Sequence, residues 1–373
     1  MNEKIKLLIK DCAKYNNEYY FIAEKFNLVF SLNVDDGKIT LIDCDEDLSA
    51  VAKNTFGAIA IKDDKMYITH NRKCSVLVYD FLDKTHNELK LNSYALKNAD
   101  ANAIMSIAEY KDELIFIGCH YPALIRYNTI NQNIRYIEKP YSVVDDKDIA
   151  YFRTHHVIIS DALYLASLFN NSVLKYNLEE DCFEWVDVGN KNNRYSGIAY
   201  DGTNFWLSPR TSSPIVRWNG NTDIEEFELP AMLKGNSNYF FGVFYDNDSM
   251  IFPNAVKLPT IIIDKKTNNI SLINKVIKFQ KTIGTDIIIQ NSDSELTVKS
   301  GDLHKKFNLE IDYNEIKDFY KSKKMKFDLP DLMFEGDYID VEAYMDLIQN
   351  GVSDKIISSD IGRNIHEIIK ASD

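Results

Sequence analysis

The residues whose types suit chemistry near neutral pH are a few histidines and arginines. Thr154-His155-His156 sets two imidazoles side by side. An imidazole titrates near neutrality and moves protons as general base or acid. On extended chain, neighbouring side chains point to opposite sides, so one of the two is expected to face a shared site. Arg153 immediately precedes the motif, and Arg72, Arg194 and Arg210 lie in other parts of the chain. A guanidinium fork binds a carboxylate or phosphate through two parallel hydrogen bonds. Adjacent histidines make a poor bidentate metal site, and a third ligand would have to come from His70 or His120. No cofactor is therefore assigned, and a divalent metal is the minor alternative.

Residues so far apart share a site only if the fold gathers them. Five short aromatic and β-branched runs begin at Lys65, Glu113, Ala162, Asn204 and Ser249. Each follows a polar turn with an acidic residue, namely Asp64, Asp112, Asp161, Asp201 and Asp248, as a strand does when it leaves a tight hairpin. A second element reads apolar, often aromatic, then Asn or Asp. Its last residues, Asn33, Asp80, Asn128, Asn177, Asn219 and Asp264, recur at a spacing of about 45. Asn and Asp suit that place because their side chains close a turn onto the backbone. A less polar strand precedes each hairpin, as in Ala58-Ile59-Ala60-Ile61, and a further strand follows each turn, as in Ile134-Arg135-Tyr136-Ile137.

Four strands per repeat at this period predict an all-β fold, a β-propeller of four-stranded blades. A lone sheet cannot bury two apolar faces, whereas radial stacking buries both. Tyr79, Tyr127, Tyr176 and Trp218 are expected to pack between blades. Six repeats are clear between residues 4 and 274. A degenerate one at 276–310 makes seven blades the expectation and six the alternative. Blade 1 is expected to close the ring against blade 7, with Lys4–Ile9 as an alternative strand donor to the last blade.

Over residues 4–310 the chain resembles the broad β-propeller class, including the Kelch-like and streptogramin-lyase-like groups. Its best single piece is the hairpin Asp201-Gly202-Thr203-Asn204-Phe205-Trp206. The chain lacks the double glycine of Kelch blades and the recurrent Gly-His…Trp-Asp pair of WD40 blades. The resemblance implies architecture and no activity.

Composition bounds the rest. The chain has 373 residues, 45% hydrophobic and 27% charged, with a net charge of −13. An acidic body of this kind disfavours nucleic acid and anionic membrane as partners. Cys12, Cys44, Cys74, Cys119 and Cys182 form no C-x-x-C pair and read as free, buried thiols of a cytoplasmic protein. No apolar run approaches membrane-spanning length. No Walker, Rossmann, zincin or nucleophile-elbow motif occurs. The propeller is expected over 1–311 and a helical C-terminal extension over 312–373. Ile316, Phe319 and Tyr320 sit at helical spacing there, and Asp340 and Asp360 read as helix caps. The extension either packs on the propeller or docks a protein partner.

In a propeller, the start of each inner strand and the end of each second strand lie at one end of the channel. That end is expected to gather His70, Arg72, His120, Arg153, His155, Arg194, Tyr195, Arg210 and Asn254. A basic ring on an acidic body focuses potential into the channel mouth. The first expectation is a binding propeller for a polar or anionic small molecule or peptide. There His70, Arg72, Arg153, Arg194, Tyr195, Arg210 and Asn254 hold the ligand. The second is an enzyme, a lyase, hydrolase or epimerase, with His155 and His120 catalytic. The third is a protein-interaction scaffold.

Overall fold

The structure, a computed structural model, describes residues 4–24, 28–42, 56–71, 73–93, 103–143, 150–210, 212–233, 240, 242–246, 248–254, 259–274, 277–292, 294–301 and 303–322. Among them, seven four-stranded antiparallel sheets form the blades of a propeller. From the channel outward, blade 1 consists of Ile9–Tyr15, Glu18–Ala23, Val29–Asn33 and Ile39–Ile42. The inner strands of blades 2 to 7 are Phe56–Lys62, Ile104–Tyr110, Val157–Ile159, Tyr195–Tyr200, Phe244–Asp246 and Phe279–Ile283. The degenerate repeat is a complete blade, so the six-bladed alternative is discarded. Among the described residues, no helix is long and apolar enough to cross a membrane.

The recurrent Asn and Asp do what their chemistry suggests. The Oδ1 atoms of Asn33, Asp80, Asn128, Asn177, Asn219 and Asp264 each accept the backbone N–H two residues on, at 2.8–3.1 Å. Blade 7 lacks such a residue and turns through Gly301, whose φ of 56° is left-handed. In the hairpin of blade 5, Asp201 accepts the N–H groups of Thr203 and Asn204, and its Oδ2 takes the Trp206 indole N–H at 2.8 Å.

Apolar clusters fill the spaces between blades. Tyr67, Val76, Leu114, Phe116 and Tyr127 join blades 2 and 3. Leu163, Leu174 and Tyr176 pack against blade 3 residues, and Trp218 packs against blade 4 residues. Each such side chain, fully buried, contributes roughly 1.5–3 kcal/mol relative to exposure. Tyr79 differs, being only half-buried, with its ring edge-on to Phe81. Cys12 and Cys119 are free and buried, whereas Cys74 is half-buried and Cys182 is exposed. The expectation of uniformly buried thiols is corrected to that extent.

Blade 1 closes the ring against blade 7. The Gln290 side chain imitates a strand edge, its Oε1 accepting the Ile9 N–H and its Nε2 donating to the Leu7 carbonyl, both at 2.8 Å. Asp286 of blade 7 accepts from Lys14 and Tyr19 of blade 1, both at 2.6 Å. Lys4–Lys6 does not enter the last blade and pairs instead with Glu310–Asp312 in a two-stranded ribbon.

Residues from Asp312 onward belong to a second unit. Its described part is one helix, Tyr313–Ser322, whose first turn is capped by Asp312 accepting the Asn314 N–H at 2.8 Å. The helices expected near Asp340 and Asp360 lie outside the described residues.

Candidate functional site

One end of the channel is laced together by hydrogen bonds within and between blades. The Tyr151 N–H donates to Cys119 O at 2.8 Å, Leu168 N–H to Tyr151 O at 3.0 Å, and Tyr195 N–H to Ser167 O at 3.1 Å. The Arg210 guanidinium donates to Leu168 O at 2.6 Å, and its N–H to Arg194 O at 2.7 Å. Within blades, Phe56 pairs with His70, Ile104 with Gly118, and Phe240 with Asn254. Second-strand ends and inner-strand starts therefore do meet at one mouth. The first hairpins, with Asp63, Asp64, Asp112, Asp161 and Asp201, lie at the opposite ends of these strands.

The predicted residues divide into two groups there. Arg153, Arg194, Arg210, His120 and His155 are partly exposed. His70, Tyr195 and Asn254 are 2%, 0% and 1% exposed, so they build the wall. The His70 ring packs on Phe56, with centroids 5.2 Å apart. The Tyr195 hydroxyl donates to the Val188 carbonyl, and burial raises its pKa. Tyr195 is thus an interior residue rather than a ligand-facing one. Arg72 lies outside the described residues.

The charges of Arg153 and Arg210 both act on Cys119. Burial raises the Cys119 thiol to a pKa of about 12, while both guanidinium charges pull it down. The arginines elsewhere are spoken for: Arg126 pairs with Glu113, Arg135 with Asp181, and Arg217 with Glu225. Arg194 and Arg210 differ. Arg194 donates to the carbonyls of Lys191 and Asn193, Arg210 donates to that of Leu168, and among the described residues neither meets a carboxylate.

His155 and His156 diverge, as adjacent residues on extended chain should. His156 Nδ1 lies 2.8 Å from the Ser106 hydroxyl of blade 3, which donates to Thr154 O. His155 turns the other way, past blade 5 to blade 6. A Cβ at Gly197 would lie 3.3 Å from its Cγ, a Cβ at Gly242 would lie 2.1 Å from its Cε1, and the Phe244 ring stands edge-on at 5.1 Å. Nδ1 of His155 is 3.0 Å from the Thr154 hydroxyl. Burial lowers its pKa to about 4, and the charges of Arg153 and Lys281 add to the effect. His156 falls to about 3 through burial, Lys281 and His155. Both imidazoles are neutral at pH 7. Among the described residues, no three His, Cys, Asp or Glu side chains are placed to hold a metal ion.

Sequence reasoning missed the inner-strand charges. Lys281 of blade 7 meets Asp11 of blade 1 at 2.6 Å, and Asp11 Oδ2 accepts the Ile59 N–H of blade 2 at 2.9 Å. Burial pulls the Lys281 ammonium down, but Asp11, with Cys12 and Glu109, more than restores it, leaving its pKa above the ordinary value. Lys10 donates to the Phe56 carbonyl, and burial lowers its pKa to about 8 against the pull of Glu24 and Asp11. The available signal was Lys10-Asp11 and Lys281 interrupting otherwise strand-like runs.

No family model matches this sequence, and no curated protein does. Solved structures do match. Virginiamycin B lyase from Staphylococcus aureus superposes with a TM-score of 0.58 at 16% identity, over 78% of this chain and 95% of the lyase. In fold, the chain is a seven-bladed propeller similar to virginiamycin B lyase. A catalytically inactive form of that lyase with quinupristin gives 0.59 at 15% identity, over 79% and 94%. BamB from Moraxella catarrhalis gives 0.52 at 10% identity, over 78% and 84%. At these identities the likeness to virginiamycin B lyase concerns architecture alone.

Proposed function

We propose that this chain is a binding propeller whose channel mouth takes a polar, anionic small molecule or the end of a peptide. The observation that supports this most is the state of Arg194 and Arg210. Their guanidinium groups are fixed by backbone carbonyls and meet no described carboxylate, although the chain has 56 acidic residues. A fork held by neutral acceptors keeps its charge for an incoming carboxylate or phosphate. Arg153 and Lys10 add positive charge to the same mouth. Acidic hairpins at the far end strengthen the contrast between the two ends.

A panel of carboxylates, phosphates and peptides in a thermal-shift assay tests this. Ligands are expected to raise the melting temperature in a concentration-dependent way. Arg210→Ala is expected to abolish the shift, while Arg135→Ala, altered far from the mouth, retains it. No shift across the panel would overturn the reading.

A second reading is supported by one specific feature. His155 is neutral at pH 7, has Nδ1 anchored on Thr154, and feels the charge of Arg153. In a lyase, hydrolase or epimerase, Arg153 or Arg210 would hold a carboxylate while His155 accepted a proton. A base of pKa about 4 is weak at neutral pH, so binding is the preferred reading. Turnover of any bound acid, lost in His155→Phe, would reverse that preference.

A further inference from the structure

We infer that the anion held at the mouth is a polyhydroxylated carboxylic acid, a sugar acid, whose hydroxyl groups are read by Nε2 of His155. The inference rests on the mouth being the anion site, and it names the ligand class.

Three observations on His155 carry it. First, the ring is held in place. It fills the space left by the missing side chains of Gly197 and Gly242 and meets Phe244 edge-on. A substitution-sensitive cradle of this kind fixes where the ring edge points. Second, the two nitrogens differ. Nδ1 is engaged by the Thr154 hydroxyl, whereas Nε2 has no hydrogen-bond partner among the described residues. An unmade hydrogen bond in a partly buried place favours a ligand that completes it. Third, the ring is uncharged at pH 7, because burial, Arg153 and Lys281 all oppose its protonation. A neutral imidazole matches a hydroxyl, which both donates and accepts, so either tautomer of His155 is satisfied.

Hydrogen bonds connect the two halves of the site. The Arg210 guanidinium donates to the Leu168 carbonyl, the Leu168 N–H donates to Tyr151 O at 3.0 Å, and Tyr151 lies on the segment that leads into His155. A carboxylate on Arg210 is therefore held beside the segment that carries the imidazole. Lys281 does not compete for the anion, because Asp11 already holds it at 2.6 Å. An alkyl acid of the same length would leave Nε2 unmatched. Sites built to hydrogen-bond a hydroxyl reject analogues that lack it.

The probes are D-gluconate and hexanoate, which share six carbons and one carboxylate. Isothermal titration at pH 7 is expected to give gluconate at least a tenfold advantage on the native chain. His155→Phe keeps a flat ring in the glycine cradle and removes the nitrogens; the advantage is expected to fall to about one. Thr154→Val, which frees Nδ1 without touching the ring, is expected to reduce the advantage and serves if His155→Phe unfolds. Equal affinity for the two acids, both lost in Arg210→Ala, would overturn the sugar-acid inference and leave the anion site standing. Binding of neither acid, with no other anion bound, would overturn both.

Discussion

The imidazole of His155 stands where residue 242 would carry a side chain. A Cβ built on Gly242 falls 2.1 Å from Cε1 and 2.4 Å from Nε2 of His155. A side chain from blade 4 thus reaches past blade 5 to the backbone of blade 6, and the absence of one carbon atom permits it. The relationship is steric, so it holds whatever the ring binds.

Gly242→Ala is therefore expected to displace His155. Overpacking of this kind costs about 1–3 kcal/mol. His155→Ala in the same chain should recover the part of the loss that comes from the clash, while the strain of a Cβ at a φ of 159° remains. A double-mutant cycle in urea measures the coupling, expected at about 1 kcal/mol or more. Additive effects would show that the ring and the glycine do not meet.

Ring closure depends on Gln290. Gln290→Leu keeps the volume but leaves the Ile9 N–H and the Leu7 carbonyl without their side-chain partner. Two such groups should cost about 2–4 kcal/mol together. Hydrogen exchange at the Ile9 amide should accelerate in step with the fall in the urea midpoint. Unchanged exchange there would mean that blade 1 is held by its other contacts to blade 7.

Two arginines should respond to different extents. Arg126 is 7% exposed and joins Glu113, the Leu178 carbonyl and the Tyr176 hydroxyl. Arg126→Ala breaks a pair whose Glu113 side chain is 22% exposed, leaves the Leu178 carbonyl without that donor, and should destabilise by about 1.5–3 kcal/mol. Arg210→Ala loses one hydrogen bond to a carbonyl and should cost no more than about 1.5 kcal/mol. Chemical denaturation of the two variants compares them directly.

Acid should destabilise the fold through the histidines before the carboxylates titrate. His155 and His156 have an ordinary value of 6.5 and are depressed to about 4 and about 3 in the fold. The unfolded chain takes up these protons first as pH falls below 6.5, while the folded chain does not. The stabilisation is therefore complete above pH 6.5 and is lost progressively as pH falls toward 4. His155→Phe should flatten the part of this slope between pH 6.5 and 5, read as the urea midpoint against pH.

Ser160 turns the first hairpin of blade 4 with φ of 52° and an exposed side chain. A left-handed residue with a Cβ is strained by about 1–2 kcal/mol, and glycine relieves that at an entropic cost of about 0.5–1 kcal/mol. Ser160→Gly should raise stability by about 0.5–1 kcal/mol, seen as a higher melting temperature.

Much of this molecule is local, and local features are legible in a sequence. Each turn at Asn33, Asp80, Asn128, Asn177, Asn219 and Asp264 is made by one side chain and the backbone two residues on. Strand, turn and repeat follow from such short-range chemistry. The repeat dictates the propeller, because a four-stranded sheet must cover both faces. The same logic brought Arg153, Arg194, Arg210 and His155 to one end of the channel.

Which of the gathered residues faces outward was beyond the linear chain. Asn254 and Tyr195 occupy the expected strand ends, yet they are buried in the wall. The pairing of Lys281 with Asp11 spans 270 residues and exists only because the ring closes. The neutrality of His155 likewise depends on burial and on the remote charge of Lys281. Chain order determined the blades and the end at which their loops meet, since hairpin chemistry acts over a few residues. Only the closed ring decided burial, charge pairing and protonation, because these depend on distances between residues that the sequence keeps far apart.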